Sequence, residues 1–227
     1  MIEVDLARSS VRELNERLHR LAPRSNERHW RVLNPNGAHA IAVGLTQPVQ
    51  IEINGHVGYY CAGMNAAASV TVDGHAGTGL AENIMSGIVR VRGNASQSAA
   101  ASGRGGLVVI EGDAGARCGI SMKGVAIVVG GSVGHMSAFM GQAGALVVCG
   151  QAGHDLGDSL YEAEIFVAGP VASLGADCVE KEMTQADVEH VTGLLDRAGM
   201  AGDATRFRHY GSARRLYNFH IDHAAEY

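Results

Sequence analysis

One spacing constrains this chain more than any other feature. A glycine closes each of seven short apolar runs, at Gly55, Gly74, Gly93, Gly112, Gly131, Gly150 and Gly169, each 19 residues after the one before. The columns around that glycine are equally regular. Four residues before it stand Ile51, Val70, Val89, Val108, Ile127, Leu146 and Ile165, and two before it Ile53, Val72, Val91, Ile110, Val129, Val148 and Val167. Two residues after it come Val57, Ala76, Ala95, Ala114, Val133, Ala152 and Val171, and three after it a second glycine in five of the seven copies.

Apolar, mostly β-branched residues at a period of two describe a strand with one buried face. A Gly-x-x-Gly that follows such a strand predicts sharp, sterically permissive bends. A unit of 19 residues is too short to bury its own face, so copies must stack on one another. The expected fold is therefore all-β: a parallel β-helix of seven or more coils, its strands about 4.8 Å apart and its rod roughly 30 Å long. A doubly wound α/β fold would need helical periods between the strands, and segments such as Ser98–Gly106 are Gly- and Ser-rich instead.

The flanks read differently. Ser10 with Glu13 forms a capping-box pattern, and Val11, Leu14, Leu18 and Leu21 follow at helical spacing, predicting a helix over 10–21 that Pro23 ends. A linker through Asn34–Gly37 then leads to an expected first strand at Ile41–Val43. Thr184 with Asp187 predicts a second helix over 185–198, stopped by Gly199. The chain thus divides into an N-terminal helix and linker (1–40), a β-helix (41–180) and a C-terminal helix with a tail (181–227). That tail mixes arginine with aromatics, Arg214, Arg215 and Tyr217 among them, and reads either as a strap along the rod or as an arm for a partner.

The outward strand column changes character along the rod. Glu52, Thr71 and Arg90 give way to Val109, Val128, Val147 and Phe166. Such an apolar stripe has to be covered, by the chain's own helix at 185–198 or by a partner protein.

Several patterns invite a chemical reading, and none reaches a catalytic constellation. Gly130-Gly131-Ser132-Val133-Gly134 matches the nucleophile-elbow spacing without the strand–turn–helix context. His56/His75 and His135/His154 repeat in adjacent coils, which suits turn ladders better than a metal, because no third ligand accompanies either pair. The four cysteines form no CxxC pair, and Cys61 and Cys118, three coils apart, are about 14 Å from each other, too far for a disulfide. Glu52, Asp73 and Glu111 share no column in adjacent coils, unlike the converging carboxylates of β-helical polysaccharide lyases and hydrolases. Gly103-Arg104-Gly105-Gly106 is a weak phosphate-loop candidate, and no dinucleotide fingerprint or P-loop is present. Catalytic, cofactor-binding and metal-binding residues are accordingly expected to be absent. The net charge of −5 offers no broad basic field for nucleic acid. No apolar run approaches membrane-spanning length and no export signal opens the chain, so a cytoplasmic protein is expected.

The repeats, with Gly77-Thr78-Gly79-Leu80 among them, resemble the GXGXG family, the β-helix at the C-terminal end of the glutamate synthase large subunit. Val57–Asn65, Cys118–Gly124, Gly134–Gly141, Gly157–Ala163, Ser173–Met183 and Gly211–Phe219 resemble, more narrowly, its stand-alone forms of the N-methylglutamate synthase kind. The likeness spans nearly the whole chain and departs from glutamate synthase at Ala81, where a third glycine would stand. It implies a right-handed helix and a non-catalytic supporting role. It also implies two partners: a class II glutamine amidotransferase-like subunit, and a glutamate synthase-like subunit with FMN and an iron–sulfur cluster. Similar Gly-rich repeats build one component of the formylmethanofuran dehydrogenase or formyltransferase/hydrolase complexes, the second reading. A stand-alone carbohydrate-active or carbohydrate-binding β-helix is the third.

Overall fold

The computed structural model describes residues 1–22 and 25–215. Among the described residues, eleven strands form one sheet in the order β1-β2-β3-β4-β5-β6-β7-β8-β9-β11-β10. From β3 (Gln50–Asn54) through β4 (Ser69–Asp73), β5 (Ile88–Val91), β6 (Leu107–Ile110), β7 (Lys123–Val129), β8 (Ala143–Val148) and β9 (Glu164–Val167), each strand pairs in parallel with the next. The register follows the repeat: Ile51, Val70, Val89, Val108, Ile127, Leu146 and Ile165 are successive Cα partners. The second apolar column forms its own ladder of single parallel bridges, from Val57↔Ala76 to Ala152↔Val171. The chain is a parallel β-helix, and the columns the sequence turned inward are its core.

The repeat glycines serve the stacking directly. Gly93, Gly112, Gly131, Gly150 and Gly169 each donate their N–H to the carbonyl of the repeat glycine one coil earlier, at 2.8–3.1 Å. A Cβ on Gly74 would stand 2.6 Å from both the carbonyl carbon and oxygen of Gly55, and one on Gly131 2.9 Å from those of Gly112. Backbone lies directly on backbone there, leaving no room for a side chain. Close approach, more than a special bend, is what selects glycine in this column.

The tight bending happens elsewhere, on a second edge of the coil. Five, seven and nine residues after the repeat glycine the backbone turns left-handed, as at Tyr60 (φ 60°), Ala62 (φ 53°) and Met64 (φ 54°). The middle position runs Ala62, Ala81, Ala100, Gly119, Ala138, Gly157, all at positive φ. Ala81 therefore occupies the left-handed region at φ 53° without being glycine. Each left-handed residue costs about 1 kcal/mol or more when it carries a Cβ. Stacking offsets that: middle amides donate backward, Ala81 N to Cys61 O at 2.8 Å, while flanking ones donate forward, Tyr60 N to Thr78 O at 2.8 Å.

The N-terminal end differs from the sequence expectation. Ile41 and Ala42 form a turn, not a strand. The stack instead continues into β2 (His29–Leu33) and β1 (Ile2–Asp5), both parallel and in register with β3. Their coils are longer, since His29 pairs with Gln50 and Ile2 with Trp30. The extra length between β1 and β2 holds α1 (Val11–His19), with the expected Ser10/Glu13 capping box. Pro23, expected to end this helix, lies outside the described residues; α1 closes at Arg20, whose N–H reaches Glu16 O and Leu18 O. Strands β1 and β2 thus extend the parallel ladder, and Leu14, Leu18, Trp30 and Val32 share its core.

α1 also completes the first coil. Asn15 Nδ2 donates to Ala40 O at 2.8 Å, and Asn15 Oδ1 accepts from Ala42 N at 3.0 Å. One amide side chain replaces the backbone partners that a preceding coil would supply. At the other end the direction reverses: β11 (Arg208–Ser212) runs antiparallel to β9, and β10 (Cys178–Lys181) antiparallel to β11.

Candidate functional site

The apolar stripe lies beneath the chain's own helix. Val109, Val128, Val147 and Phe166 are fully buried in a second hydrophobic cluster with Val191, Leu194, Leu195, Ala198 and Phe207. The cover is α2 (Gln185–Ala198), capped by the Thr184/Asp187 box and closed by Gly199 in the left-handed region, as its sequence signals. Of the two covers open to the sequence, the intramolecular one is present, so these four side chains present no surface to a partner protein.

Two groups outside the stripe fix α2 in place. Arg90, in the polar part of the same outward column, donates Nη2 to Ala198 O at 2.7 Å and Nη1 to Glu111 Oε1 at 3.0 Å. It places positive charge on the helix C-terminus, where the macrodipole is negative. At the N-terminal end, His209 stacks on Phe166 with ring centroids 4.7 Å apart. Its Nδ1 is 3.5 Å from Asp187 Oδ2, an ion-pair distance that makes no hydrogen bond. Burial would raise the Asp187 carboxyl, but the Thr184 amide and hydroxyl, and His209, outweigh it and hold the group below the usual carboxylate range.

The polar residues that hinted at chemistry are engaged in the stack. His56 Nδ1 accepts from His75 N at 2.9 Å, His75 Nδ1 from Asn94 N at 2.8 Å, and Asn94 Oδ1 from Asp113 N at 2.9 Å. Asp113 Oδ1 then accepts from Ser132 N at 2.7 Å and Ser132 Oγ from Gln151 N at 3.0 Å. This column, one residue after the repeat glycine, is a continuous ladder in which each side chain caps the next coil's amide. Ser132 is a rung of it, not a nucleophile elbow. The His56 and His75 rings stack at 4.9 Å, and His154 faces Ser173 Oγ at 3.4 Å. Among the described residues no three His, Cys, Asp or Glu side chains are placed to hold a metal ion.

The remaining candidates are also separated. Glu52 pairs with Arg31 and Glu111 with Arg90. A Cβ on Gly103 would meet Val125 and Ile84 at 2.8–3.0 Å, so Gly103 is there for close packing on the core. All four cysteines are free; burial pushes the Cys61 and Cys118 thiols up to about 12 and raises Cys149. Such thiols are inert at neutral pH. Arg214 Nη2 bonds Glu162 Oε2 at 2.7 Å and Arg215 N bonds Asp177, so the start of the tail is tied to the last coil. Tyr217 lies outside the described residues.

The structure adds a surface that the column analysis missed. Tyr59, Tyr60, Met64, Met85 and Ile88 are all exposed, at 41–52%. Tyr60 and Met64 stand on the left-handed edge, where the next two coils carry Gly79, Asn83, Ser98 and Ser102. Bulky apolar residues replacing small ones at turn positions were the available signal. Among the described residues, no helix is long and apolar enough to cross a membrane.

Comparison with known proteins gives one full-length relation. The chain is 57% identical over 225 residues to Protein GlxC of Rhizobium meliloti (strain 1021), covering 99% of each sequence. No family model and no solved structure matches it.

Proposed function

The chain belongs to the family of Protein GlxC, and on that premise we propose that it is the non-catalytic β-helix subunit of a glutamate synthase-like hetero-oligomeric enzyme. The reaction of that enzyme is the transfer of methylamine onto glutamate, giving N-methylglutamate and ammonia. A class II amidotransferase-like subunit and a second one with FMN and an iron–sulfur cluster supply the chemistry. The observation that supports a supporting role is the ladder from His56 to Gln151. Side chains that carry acid–base or nucleophilic chemistry in other proteins are here occupied in capping the next coil. A surface so committed holds a shape and leaves reaction steps to its companions.

The test is biochemical. The isolated chain is expected to be colourless and without turnover, whereas its assembly with the two companions converts methylamine and glutamate. A stoichiometric flavin on the isolated chain, or amine transfer by it alone, would refute the proposal.

A further inference from the structure

The described residues hold a shallow cavity of about 260 Å³ on the left-handed edge, lined by Val43, Tyr60, Gly63, Met64, Glu82 and Asn83. Its walls are apolar. The Tyr60 ring lies close against Gly79 of the next coil, where a Cβ would come 2.6 Å from it. Tyr60 and Met64 are nevertheless 50% and 52% exposed. Glu82 stands at the same spot, its Oε2 3.0 Å from that Gly79 position. Unlike those of Glu52 and Glu111, its carboxylate has no ion pair or hydrogen-bonded partner among the described residues.

The patch around the cavity is concentrated. Five of the seven exposed large apolar side chains beyond Met1 fall between Tyr59 and Ile88. The exposed Tyr60 and Met64, lining one cavity with Val43, give the kind of apolar surface that marks an interaction site. An apolar wall, an aromatic ring and one unpaired carboxylate fit a long cationic side chain. The stem packs on Met64 and Val43, the cation reaches Glu82, and a guanidinium stacks on the Tyr60 face.

We propose that this cavity is the docking point for an arginine carried by a partner protein of the complex, with Tyr60, Met64 and Val43 as its apolar seat. The proposal rests on the scaffold reading for the identity of the partner, but not for the chemistry of the cavity. It also places the partner on the edge opposite in kind to the α2-covered face, whose apolar stripe is already used.

Two measurements decide it. The first titrates the isolated chain with N-acetyl-arginine methylamide and with its neutral isostere N-acetyl-citrulline methylamide, following backbone amide signals. The arginine probe is expected to shift Tyr60, Gly63, Glu82 and Asn83, with at least fivefold weaker binding for citrulline and for the Glu82→Gln variant. Equal binding of the two probes, or shifts elsewhere on the rod, would overturn the proposal. The second reconstitutes the chain with its two companions. Glu82→Arg is expected to abolish co-elution, while the exposed Glu182→Arg leaves it intact. A Glu82→Arg chain that folds and co-elutes like the parent also overturns it. If the parent chain itself fails to co-elute, the scaffold reading falls, and the probe titration still decides whether the cavity takes a cation.

Discussion

Replacing Gly131 by alanine tests the backbone-on-backbone stacking in the middle of the rod. The new Cβ would lie 2.9 Å from the carbonyl carbon and oxygen of Gly112 and in hard contact with Asp113 Oδ1. Ordinary van der Waals separation begins near 3.4 Å, so two coils must separate by about half an ångström. That strains two ladder bonds, Gly131 N to Gly112 O at 2.9 Å and Gly150 N to Gly131 O at 2.8 Å. Overpacking costs about 1–3 kcal/mol and each weakened bond about 1 kcal/mol at most. The expected loss is roughly 2–4 kcal/mol, or about 4–16 °C in Tm for a chain of this size. The control is Gly193→Ala on the exposed face of α2, where a Cβ meets nothing within 4 Å. It should stabilise by up to about 1 kcal/mol through helix propensity. Thermal unfolding followed by far-UV circular dichroism reads both. A Gly131→Ala chain melting with the parent would show that the coils do not approach this closely, and the explanation of the glycine column would fail.

Three further outcomes follow from the α2 side of the rod. Val128→Asp buries an uncompensated carboxylate between the sheet and α2 and should cost about 2 kcal/mol or more; an unchanged denaturation midpoint would contradict the burial of the stripe. Arg90→Ala removes the donor to Ala198 O and should cost about 1–2 kcal/mol, with hydrogen exchange rising in the last turn of α2 before it rises in the strands. Asp187 has its carboxyl held below its ordinary value of 3.8, so its contribution is fully present above that pH and is lost as pH falls through the lowered folded value. An acid titration of Asp187→Asn against the parent should therefore show a difference that shrinks below about pH 3.8, and a difference growing with acid would reverse the sign.

The columns at fixed distance from Gly55 to Gly169 placed the coils, their register and their core correctly, because equal spacing and equal circumference are the same statement. The strict period also concealed the first two strands: β2 and β1 precede their neighbours by longer intervals. Trp30 and Val32 thus had no repeat partner in sequence, and Ile41–Val43 looked more like a strand. The left-handed edge was illegible for another reason. Ala62, Ala81 and Ala100 adopt positive φ only because neighbouring coils hold them there, which no local propensity reports. Whether α2 or another chain covered Val128 was likewise a long-range pairing. Tyr60, Met64 and Glu82 come together from two coils, and their meeting depends on Gly79 leaving room for the Tyr60 ring.

Asn15 has a consequence for what the chain does not become. A parallel stack whose every coil offers the next one a matching row of amides and carbonyls has the growth habit of a fibre, and nothing within its 19-residue period says where to stop. Here the turn edge of one tip is closed by the Asn15 amide on Ala40 and Ala42, beside the edge strand β1, and at the other tip the antiparallel β11 and β10 break the pattern. The length of the rod is thus set by a handful of terminating groups and not by the repeat. A lesion at Asn15 would reveal itself first as end-to-end association of otherwise intact rods, before any loss of their internal order.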